Sequence, residues 1–188
     1  MLIPILLLGL TATGSAFTFP AGAANGIYRA YYNDAGDEVH ELISPDTFED
    51  AVVSEREVAH NDRHSRQLGA LTWCGCGISM NAYDTNTANG NLQSQVSGGN
   101  LYLPENAAAY AIYNTVVAFS CTQSFGQGTL QIDPDIVNGN DWRITQACGA
   151  FVPGTADTLY WYDYGYMNYS PGLDFCGAAK ASSSNTCF

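Results

Sequence analysis

Positive charge is scarce in this 188-residue chain: six Lys and Arg stand against 18 Asp and Glu, for a formal net charge of −12. Nucleic acids and anionic membranes are held by clustered Lys and Arg that displace counterions, so neither is an expected partner. Long apolar runs are missing as well. The opening MLIPILLLGL is too short to span a bilayer, and the best later stretch, Ala107 to Ser120, falls short of the roughly 18 residues of a membrane helix and contains Asn114. Membrane insertion is therefore not expected. Cysteine is absent before Cys74, and histidine is absent after His64.

The opening apolar run has the length of a secretion-leader core, although no Lys or Arg precedes it. Gly14 and Ala16 supply the small-x-small pattern read by signal peptidase, so cleavage is expected after Ala16, with the AGA ending at Ala23 as the second choice. Residues 1–16 then form a signal peptide and the product is secreted. The six cysteines, Cys74, Cys76, Cys121, Cys148, Cys176 and Cys187, suit an oxidising compartment and are expected to form three disulfides, with the pairing left open. In an extended segment Cys74 and Cys76 point the same way, so they should bind different partners.

Composition shifts near residue 66. Residues 17–66 hold ten acids, four arginines and all three histidines; residues 67–188 hold eight acids, Arg143, Lys180 and every cysteine. The first segment closes on Arg63-His64-Ser65-Arg66, an R-x-x-R pattern accepted by furin-type proteases, which makes Arg66 a candidate processing site. Residues 17–66 are read as an acidic pro-segment or a linker, and 67–188 as a disulfide-stabilised domain.

Within the first segment GIYRAYYNDAGDEVHELIS predicts a hairpin about NDAGD, and SPDTFEDAVVSEREVAH starts like a helix. In the second, LGALTWC predicts a strand. Asp84, as an N-cap, opens a helix to Val96 with Ala88, Leu92 and Val96 on one face. AYAIY and TVVAFSC flank Asn114 as a hairpin or one long strand. A second helix begins at Asp133-Pro134 or, because Gly139 interrupts it, at Asp141, and ends before Gly149. TLYWYDYGYMNY is an extended aromatic run. The fold class is α+β: a small disulfide-stabilised sandwich whose antiparallel sheet carries about two helices on one face. Both faces of Thr115–Ser120 are apolar, so this strand should be central, with Tyr164–Tyr169 in the same sheet.

A domain starting at residue 67 has no histidine, which excludes Ser-His-Asp and Cys-His catalysis and most zinc sites. His60 and His64, four apart, read as a solvated helix face. Asp163 and Asp174 are the best candidates for a carboxylate pair, against a plain reading as a strand position and a turn residue. Asp133 and Asp135 recur at alternate positions like calcium ligands, but helix capping explains them better. No cofactor, metal or catalytic residue is assigned. Tyr160, Tyr162, Tyr164 and Tyr166 would share one strand face, which either meets a sugar or protein partner or packs beneath a helix. Asn168-Tyr169-Ser170 is a glycosylation sequon, with Pro171 directly after it.

The order WCGCG, helix, VVAFSC, helix ending in ACGAFVPGT, strand GYMNY and late cysteine resembles fungal small secreted cysteine-rich proteins. Within that set it is similar to the killer-toxin-like α/β sandwich proteins, over roughly residues 68–188. The resemblance implies a secreted, non-enzymatic, effector-like or toxin-like binding protein acting on host or competitor cells through an extracellular protein or polysaccharide. A cell-wall carbohydrate-binding protein is the alternative.

Overall fold

The structure, a computed structural model, describes residues 17–45, 71–97, 101–124, 126, 128–158 and 160–187. The expected signal peptide at residues 1–16, the helix expected after Ser44, His60, His64 and Arg66 lie outside the described residues.

The predicted N-terminal hairpin is present as β1 (Gly26–Tyr32) and β2 (Glu38–Pro45). Its turn is built by Asn33, whose Oδ1 accepts from the amides of Ala35 and Asp37 at 3.0 and 2.9 Å, and by Gly36 at φ +83°. A short strand β3 (Thr72–Cys74) follows, then the helix α1 (Ala82–Ser97). Asn81, rather than Asp84, caps α1: its Oδ1 accepts from the Asp84 amide at 3.0 Å. Asp84 instead turns inward and accepts from Asn114 Nδ2, Thr115 N and Thr115 Oγ1 at 3.0, 3.3 and 2.6 Å. Burial pushes the Asp84 carboxyl up, but the Thr115 and Asn114 donors win and hold it below the usual range.

Asn114 at φ +49° forms the tight turn between β5 (Ala108–Tyr113) and β6 (Val116–Thr122), so AYAIY and TVVAFSC are a hairpin. Beside them β4 (Tyr102–Pro104) pairs with β7 (Thr129–Gln131) in a separate two-stranded sheet. Helix α2 spans Pro134–Cys148, the longer of the two predicted forms. Gly139 does not break it, because Asp133 caps it through the Asp135 and Ile136 amides and Val137, Asn140, Ile144 and Cys148 form one buried stripe along both halves. The chain ends with β8 (Gly154–Asp157), β9 (Tyr162–Asn168) and a one-turn helix α3 (Phe175–Ala178).

Seven strands make one antiparallel sheet in the order β2-β1-β5-β6-β9-β8-β3. Every residue of β6 is buried, as a central strand with two apolar faces requires. Helices α1 and α2 cover one face, where Ala109, Ala111 and Ala118 leave room for Leu92 and Val96. The other face carries an aromatic core of Tyr28, Tyr110 and Phe119, closed by α3 and by Phe17 and Phe19 from the N-terminal segment. That segment is laced to the C-terminal one by Phe19 N to Leu173 O, Gly172 N to Phe19 O and Phe175 N to Phe17 O, at 3.2, 2.8 and 3.1 Å. The composition break near residue 66 therefore does not divide the sheet, whose first two strands lie before it.

Three disulfides fasten the later elements. Cys74–Cys148 joins β3 to α2, Cys76–Cys187 ties down the C-terminal tail, and Cys121–Cys176 joins β6 to α3. Cys74 and Cys76 have different partners, as their spacing predicts. The architecture is α+β and disulfide-stabilised, with few helices.

Candidate functional site

The aromatic strand was the strongest binding signal in the sequence, and the structure divides it. Tyr162, Tyr164 and Tyr166 are 1%, 0% and 2% exposed beneath the helices, so they form core and cannot stack on a sugar. Strand alternation puts them on one face as expected, but that face is the one α1 and α2 need in order to bury their apolar stripes. The hydroxyls of Tyr164 and Tyr166 end in a polar seam between the helices, while that of Tyr162 is buried apart from it, toward Asp133. Tyr164 donates to Asn89 Oδ1 at 3.1 Å, Asn89 Nδ2 donates to Asp141 Oδ1 at 3.1 Å, and the Tyr166 hydroxyl lies 3.4 Å from Thr145 Oγ1. Burial raises all three tyrosines above the usual phenol range, and it pushes the Asp141 carboxyl up to about 6.

The exposed aromatics stand just before this strand. Tyr160 and Trp161 are 39% and 56% exposed, and Trp161 has φ +69°. Left-handed backbone suits Gly or Asn; for a bulky indole it costs on the order of 1–3 kcal/mol, so the surroundings must impose it. Several hydrogen bonds do so. Gln123 N donates to Trp161 O at 2.7 Å, Thr158 N and Oγ1 both donate to Tyr162 O, at 3.2 and 2.5 Å, and Tyr160 N donates to Thr158 Oγ1 at 3.1 Å.

Directly below lies Asp163, its side chain 3% exposed. Its Oδ2 takes Lys180 Nζ at 2.5 Å and Gln123 Nε2 at 3.3 Å, and its Oδ1 is buried without a protein donor. Burial raises the Asp163 carboxyl more than the Lys180 contact lowers it. Asp163 pairs with Cys121 across β6 and β9, and Cys121 is bonded to Cys176 four residues before Lys180, so the disulfide delivers the ammonium to the carboxylate. Lys180 Nζ also sits 5.6 Å from the centroid of the Trp73 ring. The result is a fixed base under Trp161, joined to it through Gln123, which donates to both.

The remaining candidates have local roles or a plain location. Asp133 and Asp135 belong to the α2 cap and Asp174 caps α3 through Gly177 N at 2.9 Å, so helix capping accounts for these carboxylates. Asn168 ends β9 and is exposed. A second polar group went unnoticed in the sequence because its members are far apart: Glu38 Oε1 accepts from Thr18 N and His40 Nε2, both at 2.7 Å, and His40 Nδ1 lies 2.8 Å from the buried Tyr110 hydroxyl. With Nε2 donating to the carboxylate, a neutral imidazole accepts from Tyr110 at Nδ1. Trp161 was also missed, since nothing in the sequence reports its backbone angle.

Among the described residues no helix is long and apolar enough to cross a membrane. Compared with protein-family models, with curated proteins and with solved structures, the chain matches none.

Proposed function

We propose that this chain is a secreted, non-enzymatic binding protein, effector-like or toxin-like, that acts on host or competitor cells and engages its extracellular partner through Tyr160 and Trp161. The observation that carries the reading is Trp161: a large, exposed indole held in a backbone conformation unfavourable to it, on a base braced by an Asp–Lys pair and a disulfide. Strain of this kind persists where function needs a side chain aimed outward. Trp and Tyr are also the residues that most often dominate binding energy at protein interfaces. Three disulfides suit an oxidising, extracellular setting, and the resemblance to killer-toxin-like proteins points the same way.

The test is Trp161→Gly. Glycine tolerates φ +69°, so this variant should unfold at the same or a higher denaturant concentration, gaining up to about 1 kcal/mol, while losing the indole. Binding of labelled protein to intact fungal and plant cells should fall at least about tenfold. Unchanged cell binding by the stable variant overturns the reading. Binding to chitin, β-glucan or cellulose that disappears with Trp161 would favour the cell-wall alternative, carried by this exposed pair rather than by the buried tyrosine face. Hydrolysis of a polysaccharide that is lost in Asp163→Asn would indicate an enzyme instead.

A further inference from the structure

We propose that the mature chain begins at Phe17 and that Glu38 is the receptor for its new α-ammonium group, an ion pair created by processing. The inference rests on the secretory reading, and its geometry comes from the folded residues around it. Phe17 is fully buried, stacked on Tyr32 with ring centroids 5.0 Å apart, and Phe19 is stacked on Phe175 at 4.3 Å. Cleavage at the alternative position after Ala23 would delete both rings and the three backbone hydrogen bonds that bind this segment to the Leu173–Phe175 strap. It would also open the aromatic core around Tyr110 and Phe119. The chain must therefore keep Phe17.

The Glu38 carboxylate reaches that end of the chain. Its Oε1 lies 2.7 Å from Thr18 N, and both its oxygens lie 3.4 Å from Thr18 Oγ1. Successive backbone nitrogens are within about 3.7 Å of each other, so the Phe17 nitrogen lies no more than about 6.4 Å from Glu38 Oε1, within reach of the carboxylate once the leader is cut away. Before cleavage that nitrogen is a neutral amide; afterwards it carries a full positive charge at neutral pH. Hydrolysis of the Ala16–Phe17 peptide bond adds one water, leaving a carboxylate on the leader and an ammonium on Phe17. The carboxylate is held in place from behind by His40 Nε2 at 2.7 Å, and His40 rests on Tyr110. In a chain with only six Lys and Arg, one further cation at a fixed place beside an acid is a substantial local change. Glu38 thereby links correct processing to the seating of the first strand pair.

The full 188-residue sequence is expressed in a secreting eukaryotic host, and the product is read by intact mass and N-terminal sequencing. The expected sequence starts FTFPAG. A folded, fully oxidised product starting at Ala24 overturns the proposal, and one retaining residues 1–16 overturns the secretory reading and the proposal with it. Given a Phe17 start, selective acetylation of the α-amine should lower the melting temperature by about 2–4 °C. Glu38→Gln should show no further loss on acetylation. If acetylation is harmless in the wild type, or equally harmful in Glu38→Gln, the ion pair is refuted while the secretory reading stands.

Discussion

Asp141 is the residue whose environment least suits it. Its carboxyl accepts from the amide of Asn89 in the seam between α1 and α2, where its charge is felt by Tyr164 and Tyr166, and burial lifts it to about 6. The folded chain therefore holds a proton there at pH values where the unfolded chain, titrating near 4, has lost it. The stability from this proton is fully present below about pH 4 and is lost as the pH rises through about 6. Asp141→Asn keeps an acceptor for Asn89 and removes the charge. It should raise stability at pH 7 by about 1–2 kcal/mol, a figure reduced for residual solvent contact, and should leave stability at pH 4 almost unchanged. Urea unfolding at the two pH values checks it; an equal effect at both would point to packing instead of charge. Gly165 shows the opposite fit: a Cβ there would lie 2.7 Å from Gly154 O and from Phe119 Cζ, so only glycine lets β8 and the Phe119 ring approach β9 this closely.

At the scale of elements, local pattern was legible wherever it agreed with tertiary demand. The β5–β6 hairpin followed from two β-rich runs about Asn114, and β6 was readable as central because both its faces are apolar. The start of α1 was misplaced because Asn81 and Asp84 are both good caps, and only the distant Thr115 decides which one turns inward. The tyrosine face was legible as a face, yet whether water or a helix covers it depends on packing that alternation does not encode. Disulfide pairing was illegible for the same reason. Cys121–Cys176 has a testable energetic role, since it closes a span of 55 residues and positions Lys180 over Asp163. Replacing both cysteines by Ala should cost about 2–4 kcal/mol in denaturant unfolding from the closed loop alone. Adding Asp163→Asn should recover part of the loss if the Lys180 contact fails with the disulfide, and none if Lys180 stays in place.

For the whole molecule, the division that composition suggests at residue 66 and the division that packing allows are different. Residues 17–45 contain no cysteine, and every disulfide lies within residues 74–187, so nothing covalent except the chain joins the first hairpin to the rest. If a protease cuts after Arg66, the two pieces should remain together, held by the β1–β5 ladder and by Phe17 and Phe19. Native mass spectrometry of the cut protein should then give the mass of the intact chain plus one water. Denaturation without reductant should separate it into two polypeptides, and loss of the smaller piece under native conditions would show that it is a removable pro-segment after all.

The ladder between β1 and β5 also sets an order of events during synthesis. Tyr28 leaves the ribosome first among the strand residues of the aromatic face, but its partner Tyr110 lies far downstream. At roughly 5–20 residues per second the first hairpin waits several seconds with its apolar side uncovered. β5 and β6 pair through a tight turn, whereas β1 must close the span from Tyr32 to Ala108 before it can pair with β5. The pairing of β1 with β5 is thus a non-local closure that joins chain made early to chain made much later, and a closure of this kind slows folding and leaves the waiting hairpin in need of protection.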